Sequence, residues 1–595
     1  MRFKEEGAAD MPELHDALLR SRSRYFVRGA FRRFYIPALL SSFWLAVAGV
    51  ADSIFVGNGI GSAGLAAISL GQPVYLFYNI LSYGFSIGGS IHYSSALAEG
   101  RAEDANRIFM TVWKLLLGIY LATMALGLIF QPQLMRILGA NPANRIQFNY
   151  IRTQLIFIPI MFSQGPFYFF VNADGGPKTA AAAMTVSGVS DAIFSYIFII
   201  RMNMGVEGSV YSTVAGAVLM LAITGSHIIR KKGSLRFCRE TMQWNIIGSS
   251  ARTGFATSVQ YLFQFLTTIA FNRLLIRYGG AIAVAAFDVV YNISLLCISI
   301  SEGAIYATEP MLSSYRSERN LGNIRITLGL AFIWTAVATA LFGTLLLLFP
   351  EQISMLFGMD KGKELVYASA GIRIYALSAL PAMVNLLYSG YYQAIFQEWL
   401  AYLITILRSL VVFLAALYLC SRNGMKQIWY VFVVDELLTM AVWMPAAAFR
   451  GGLTQLRDIN ANNARTVVVD SSGQDINVIV QELQDFSAEH GANTKQAMYI
   501  GLVVEEICCA IIDRFREHMG EIYVQITVVM EDEGEVTLYL RDNAFEFNPL
   551  GEDTEGISLS EGRQLDLVGL RIVQKKAKEF YYRRNTGFNT LVIRM

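Results

Sequence analysis

RITLGLAFIWTAVATALFGTLLLLF, residues 325–349, is the stretch that decides the fold. After Arg325 it carries no charged residue, and as a helix it covers ~36 Å, enough to cross ~30 Å of hydrocarbon. Eleven further runs of this kind occur, at 36–57, 64–97, 109–130, 150–172, 178–200, 206–229, 250–276, 281–312, 365–394, 398–420 and 427–449. A buried helix of a soluble protein keeps a polar face at helical period, and these segments mostly lack one. The expectation is an all-α polytopic membrane protein of twelve spans. Composition agrees: 54% of the 595 residues are hydrophobic, 16% are charged, and mean hydropathy is +0.42. A soluble chain carries about 25% charged residues.

The charges are unevenly placed. Residues 1–33 and 450–595 hold most of them, so the reading is a cytoplasmic N-terminal segment (1–33), the membrane region, and a separate soluble domain from 466 to 595. Loops expected on one side carry Arg20, Arg22, Arg24, Arg28, Arg32 and Arg33, then Arg101, Arg107, Lys178, Arg230, Lys231 and Lys232, then Arg316, Arg319 and Arg325. Opposite loops carry few, among them Arg136, Arg145, Lys361 and Lys363. Positive charge stays inside, which places both termini in the cytoplasm. The net charge of +2 follows topology and gives no reason to expect a nucleic-acid partner. No cleavable leader is expected at the basic N-terminus. The five cysteines, Cys238, Cys297, Cys420, Cys508 and Cys509, include no CxxC, so neither a disulfide framework nor a metal site is expected.

The membrane region reads as one unit written twice. Pro132 in FQPQLMRILG and Pro350 in FPEQISMLFG lie 218 apart, as do Arg107 and Arg325. Ala66-Ala67 recur as Ala285-Ala286 at 219, and Ile151-Arg152 and Pro159 as Ile372-Arg373 and Pro381 at 221 and 222. Two six-helix bundles follow, an N-lobe over 34–229 and a C-lobe over 250–450, and parallel repeats of this sort suit transport by rocking one bundle against the other.

The repeat also carries strings that resemble the multidrug and toxic compound extrusion family of cation-coupled antiporters: ADSIFVGNGIGSAGLAAISLGQP (51–73), GRAEDANR (100–107), VNADGGPKTA (171–180) and GVEGSVYSTVAG (205–216), with GGAIAVAAFDVV (279–290) and EPMLSSYRSERN (309–320) in the second half. The resemblance covers about residues 30–450. It implies an exporter of organic or cationic small molecules driven by H⁺ or Na⁺, in a bacterial inner membrane. An acid within a span is a functional candidate by default. Asp52 stands where the family has its first-helix aspartate. The family's Asn and Asp of the fifth helix, counted back from Met204-Gly205, fall here on Asp191 and Ser195, so the acid has moved one turn. Residues four apart share a face, so Asp191 still reaches the same cavity. Thr213 matches a sixth-helix threonine. Asp52, Asp191, Ser195 and Thr213 suit a proton relay or an oxygen-ligated Na⁺. Asp288, Glu302 and Glu309 form a stripe on the eighth helix, either lining the cavity or pairing with Arg373 and Arg408; Asp288 is the candidate cavity acid. Tyr75, Tyr78, Tyr83, Tyr168, Tyr261 and Tyr291 either hold organic cations on their ring faces or simply pack.

After Arg450 the pattern changes to strands at 466–470, 521–530, 535–542 and the C-terminus, with helices between, an α+β sandwich. It resembles the ATPase domain of histidine kinases and anti-sigma-factor serine kinases, through VVEEICCAI (503–511), LYLRDNAFEFNP (538–549) and DLVGLRIVQKKAKEF (566–580). The resemblance makes Glu505, Asp542 and Gly569 the possible nucleotide-binding residues, with ATP as ligand. Cys509 replaces the Mg²⁺-binding Asn, Ala544 a customary Gly, and phosphate-loop glycines are missing around Gly569-Leu570. The implied role is therefore regulation, by nucleotide or by a cytoplasmic partner, without kinase activity. A membrane sensor with a kinase-like output, or a lipid or saccharide flippase, are the competing readings.

Overall fold

The computed structural model describes residues 6–98, 101–231, 233–238, 242–422, 424–457, 459–470, 476–515, 522–531, 534–545, 568–585 and 588–595. The membrane region is a bundle of long helices: α1 (Glu6–Ile60), α2 (Ser62–Ala98), α3 (Ala102–Ile129), α4 (Gln131–Leu138), α5 (Arg145–Ala173), α6 (Pro177–Ser195), α7 (Glu207–Ile229), α8 (Trp244–Thr253), α9 (Phe255–Ser317), α10 (Leu321–Leu348), α11 (Pro350–Leu356), α12 (Gly362–Ala394), α13 (Glu398–Ile406), α14 (Val412–Ser421), α15 (Met425–Ile428) and α16 (Val431–Arg450). Among the described residues ten helices are long and apolar enough to cross a membrane. One of them, Ser258–Ser317, is 60 residues long and is broken at Gly280, whose φ of 65° and ψ of −159° lie outside helical space. Runs 250–276 and 281–312 are thus joined through that break. The run at 427–449 is divided into α15 and α16.

Residues 1–33 do not form a separate segment from Glu6 onward, because α1 continues through them. Phe26, Val27, Ala30, Phe31 and Tyr35 are buried while Arg24, Arg28, Arg32 and Arg33 are exposed, an amphipathic pattern that lays this helix on α9 and α10. Proline opens and glycine follows the two short helices related by the repeat. Pro132 lies in the first turn of α4, which Gly139 ends at φ 85°, and Pro350 begins α11, which Gly358 follows at φ 72°. The end of α1 meets α11 tightly. A Cβ on Gly57 would lie 1.9 Å from the Phe357 carbonyl oxygen, and Asn58 Nδ2 donates to the Leu356 carbonyl at 2.6 Å. Ser62 donates to Glu364 beside it. This end of the bundle is closed between the two copies.

One helix in each copy departs from α geometry. A π-turn, Tyr196–Arg201, continues α6, and another, Leu407–Val411, joins α13 to α14. Such turns widen a helix at functional positions.

The C-terminal residues form an antiparallel sheet in the order β1-β2-β3-β5-β4, with β1 Ala464–Asp470, β2 Tyr523–Met530, β3 Val536–Asp542, β4 Glu579–Asn585 and β5 Phe588–Arg594. The strand β4 is not evident in the sequence. Its run EFYYRRN is charged rather than alternating, as suits an edge. Val467, Val524, Ile526, Leu538, Leu540 and Ile593 pack on α17 (Ile476–Glu489) and α18 (Thr494–Phe515). Alternate residues point to the opposite face, which docks on the loop between α9 and α10. There Glu318 accepts from Arg541 at 2.6 Å and from Gln525 at 3.0 Å. Arg319 bonds Glu531 at 2.6 Å, Asn320 bonds Thr466 at 3.0 Å, and Asn323 bonds Gln525 at 3.1 Å. From α1, Arg22 pairs with Asp470 at 2.8 Å, and the Tyr25 ring lies 5.0 Å from Tyr523.

Candidate functional site

Asp52 lies eight residues before the end of α1, about 12 Å along the helix axis. Ser195, the last residue of α6, is fully buried and hydrogen-bonds the Asp52 carboxyl. It also lies 2.6 Å from Ser212 Oγ on α7, and Ser212 donates to the Ser209 carbonyl at 2.7 Å. Asp191, one turn before Ser195, faces the hydroxyls of Ser212 and Thr213, yet its Oδ1 is buried with no hydrogen-bond partner. Thr213 Oγ1 donates to the Ser209 carbonyl at 3.0 Å. The fold therefore brings Asp52, Asp191, Ser195 and Thr213 together. Position for position, the hydroxyl of Ser195 takes the contact with Asp52 and the acid stands one turn away.

Asp288, 3% exposed on α9, joins the same neighbourhood through the next residue of α1. Asn292 Nδ2 lies 3.1 Å from Asp288 Oδ2 and 2.9 Å from Ser53 Oγ. Successive residues on a helix point ~100° apart. Asp52 thus reaches the first copy's helices while Ser53 reaches the second copy's, and α1 ties the acids of both into one site. Asp191 and Asp288 are both within electrostatic reach of Asp52. Ser212, Ser53 and Asn292 are partners that the sequence did not single out, since small polar residues are common in packed membrane helices.

The acid stripe on α9 does not act as a unit. Glu302 is half-buried and within reach of Arg408, whereas Glu309 is exposed. Neither arginine takes its expected partner: Arg373 pairs with Glu351 at 3.5 Å, and Arg408 with Glu436 at 2.8 Å. Both sit on helices that face α9, but α11 and α16 bring acids closer. Of the tyrosines, Tyr78 is core, packed on Phe77, Tyr120 and Phe162. Tyr168 packs on Phe169. Tyr75, Tyr83, Tyr261 and Tyr291 form one wall, with Tyr83 and Tyr261 rings 5.1 Å apart.

In the C-terminal domain Glu505 and Cys509 are exposed one turn apart on α18. Asp542, at the end of β3, is buried; its Oδ1 accepts from the Ala544 amide at 3.0 Å and from Asn589 Nδ2 at 2.7 Å. Gly569 falls in α19 (Val568–Lys576). Residues 546–567, which include part of the second and third motifs, lie outside the described residues.

A family model, MatE, matches two segments of the chain, residues 37–197 and 256–419, together more than half of it. The chain belongs to the MatE family. The two segments start 219 residues apart, the spacing at which the sequence repeats. Among curated relatives, a Bacillus subtilis (strain 168) protein named probable multidrug resistance protein YoeA is 25% identical over 274 residues, 44% of this chain and 58% of that one. The multidrug export protein MepA of Staphylococcus haemolyticus (strain JCSC1435) is 22% identical over 444 residues, 71% of this chain and 94% of that one. Among solved structures, an inward-facing MATE family transporter of the MOP superfamily superposes with a TM-score of 0.64 at 20% identity, covering 71% of this chain and 99% of that one. A MOP superfamily transporter from Pyrococcus furiosus Vc1, described as having a binding pocket of reverse polarity, gives 0.56 at 21% identity, with 73% and 97% covered. These likenesses establish the fold of a multi-pass membrane transporter.

Proposed function

We propose that this MatE protein is a secondary active antiporter that exports organic or cationic compounds, in line with relatives named for multidrug export and multidrug resistance, and that H⁺ or Na⁺ is exchanged at Asp52, Asp191, Ser195 and Thr213. The observation that carries this reading is the chain of contacts from Asp52 through Ser195 and Ser212 to the Ser209 carbonyl, beside the unpartnered Asp191 Oδ1. Two hydroxyls supply two protons for three contacts. A proton on Asp52 supplies the third, which favours H⁺, and its loss leaves one contact unmade. Releasing that proton therefore loosens α1 from α6 and α7. Because Ser53 is bonded in the other copy, the loosening is felt where the two bundles meet. Asp288 adds negative charge to the cavity, and the tyrosine wall supplies ring faces for an organic cation.

Twelve spans and cytoplasmic termini in a bacterial inner membrane complete the proposal: α1 counts as one, and the long helix counts twice at Gly280. The C-terminal domain is read as regulatory and ATPase-like. Its residues fit Mg²⁺-nucleotide poorly, since a thiol at Cys509 is a weak ligand for a hard cation and Asp542 already holds Asn589. Efflux of a fluorescent organic cation from proteoliposomes under imposed H⁺ or Na⁺ gradients tests the central claim. Gradient-driven efflux in the wild type and its loss in Asp52→Asn are expected; efflux indifferent to both gradients and to Asp52→Asn would defeat it.

A further inference from the structure

A second cluster of acids lies in the other copy, away from Asp52. On α16, within the apolar run VFVVDELLTMAVW, Asp435 and Glu436 are 4% and 5% exposed. Glu436 is well supplied. Its Oε1 accepts from Arg408 Nε at 2.8 Å and its Oε2 from Asn385 Nδ2 at 2.7 Å, while Trp443 Nε1 holds Asn385 Oδ1 at 2.7 Å. Asp435 is not, for its Oδ1 is buried with no hydrogen-bond partner. One turn on, the fully buried Thr439 presents an Oγ1 that also has no partner. Positions four apart share a helix face, so the two bare oxygens lie on one side of α16. The charged groups acting on Asp435 are Glu436 and Arg408; Glu302 and Tyr375 face Arg408 in turn, and Cys297 bonds Tyr375. One guanidinium thus stands against three carboxylates, in surroundings where an uncompensated charge is costly.

We propose that Asp435 and Thr439, with Glu436 behind them, form a second site for a monovalent cation, a proton or an alkali-metal ion. The placement mirrors the first site: each lies where the last two long helices of a copy meet, next to a π-turn, Tyr196–Arg201 in one and the Arg408-bearing Leu407–Val411 in the other. Glu302, within reach of Arg408, lies 14 residues beyond Asp288 on α9, about 21 Å along that helix. The site goes beyond the exchange assigned to Asp52 and stands or falls separately from it.

Trp443 is a built-in reporter, being two hydrogen bonds from Glu436. Fluorescence of the full-length protein in nanodiscs is recorded at alkaline pH during titration with sodium or with potassium, and separately during acidification without either. The expected result is a saturable change with one of these cations that vanishes in Trp443→Phe and in Asp435→Asn and persists in Asp52→Asn. Thr439→Val, which keeps every charge, is expected to weaken the apparent affinity about tenfold for an alkali ion and to leave a proton response nearly unmoved, which separates the two occupants. If the wild type shows no Trp443-dependent change with any cation, or if the change survives Asp435→Asn, the proposal is overturned. Should Asp435→Asn fail to fold, Asp435→Glu decides: an unchanged midpoint refutes the site and a shifted one supports it.

Discussion

Glu318 is the residue whose loss most directly tests how the C-terminal domain is held. It is 1% exposed and accepts from Arg541, 12% exposed as a side chain, and from Gln525, 2% exposed. Glu318→Ala strands a guanidinium and an amide in a dry interface. Removing one partner of a buried pair costs about 3–5 kcal/mol, and the Tyr315 ring, 5.2 Å from the Arg541 guanidinium, compensates little of it. Taking about 3 kcal/mol, the ratio of undocked to docked domain rises about 100-fold. Hydrogen exchange on the full-length protein reads this at the amides of 317–323, which should exchange faster by a similar factor, while those of β3, bonded to β2 and β5, stay protected. The double variant Glu318→Leu with Arg541→Met replaces the pair by apolar volume and should recover most of the protection, because the interface is otherwise packed. Unchanged exchange in Glu318→Ala would refute the buried pair as the hold, and so would a double variant no better than the single one.

Three further outcomes are expected. Asp174 accepts from Tyr93 OH at 2.7 Å, His227 Nε2 at 3.0 Å, and the amides of Ser234 and Leu235 at 2.8 and 3.1 Å; Asp174→Ala orphans these buried donors, so the melting temperature in detergent should fall with a loss of about 3 kcal/mol or more, and an unchanged melt would contradict the network. Gly57→Ala would drive a methyl into the Phe357 carbonyl; the closed end must open by more than an ångström, and alkylation of a cysteine placed at Ser354, fully buried on α11, should rise severalfold over the Gly57 parent. Glu535, bonded to Lys578, is held below the usual carboxylate range by that bond. A depressed carboxylate contributes stability above its unfolded value that is lost as pH falls through the folded one. The domain's acid unfolding should therefore be slightly less steep in Glu535→Gln, and an identical profile would count against the contact.

Much of the site was legible because burying charge in a membrane is costly, so Asp52, Asp191 and Asp288 stand out in apolar runs. Asp435 and Glu436 carry the same signal, in VVDELL, but no family string marks them. The serines and Asn292 were invisible for a different reason: their composition is ordinary, and only their partners across helices make them part of the site. The strand β4 escaped because an edge strand needs no alternating apolar face.

Hydropathy, loop charge and the repeat are properties of local composition and spacing, and the solvent acts on them directly. They determined by themselves that the chain crosses a bilayer many times, in two related halves with a C-terminal appendage. Which acid meets which hydroxyl depends on how helices far apart in sequence are turned against one another. The packing of α1 across both copies decided that Asp52 takes Ser195 while Ser53 takes Asn292, and that Arg408 takes Glu436 rather than the stripe on α9. It decided also that the amphipathic start of α1 lies on the bundle, and that the sheet docks by Arg541 on Glu318. Such pairings rest on the rotation of one helix against another, which no single segment encodes.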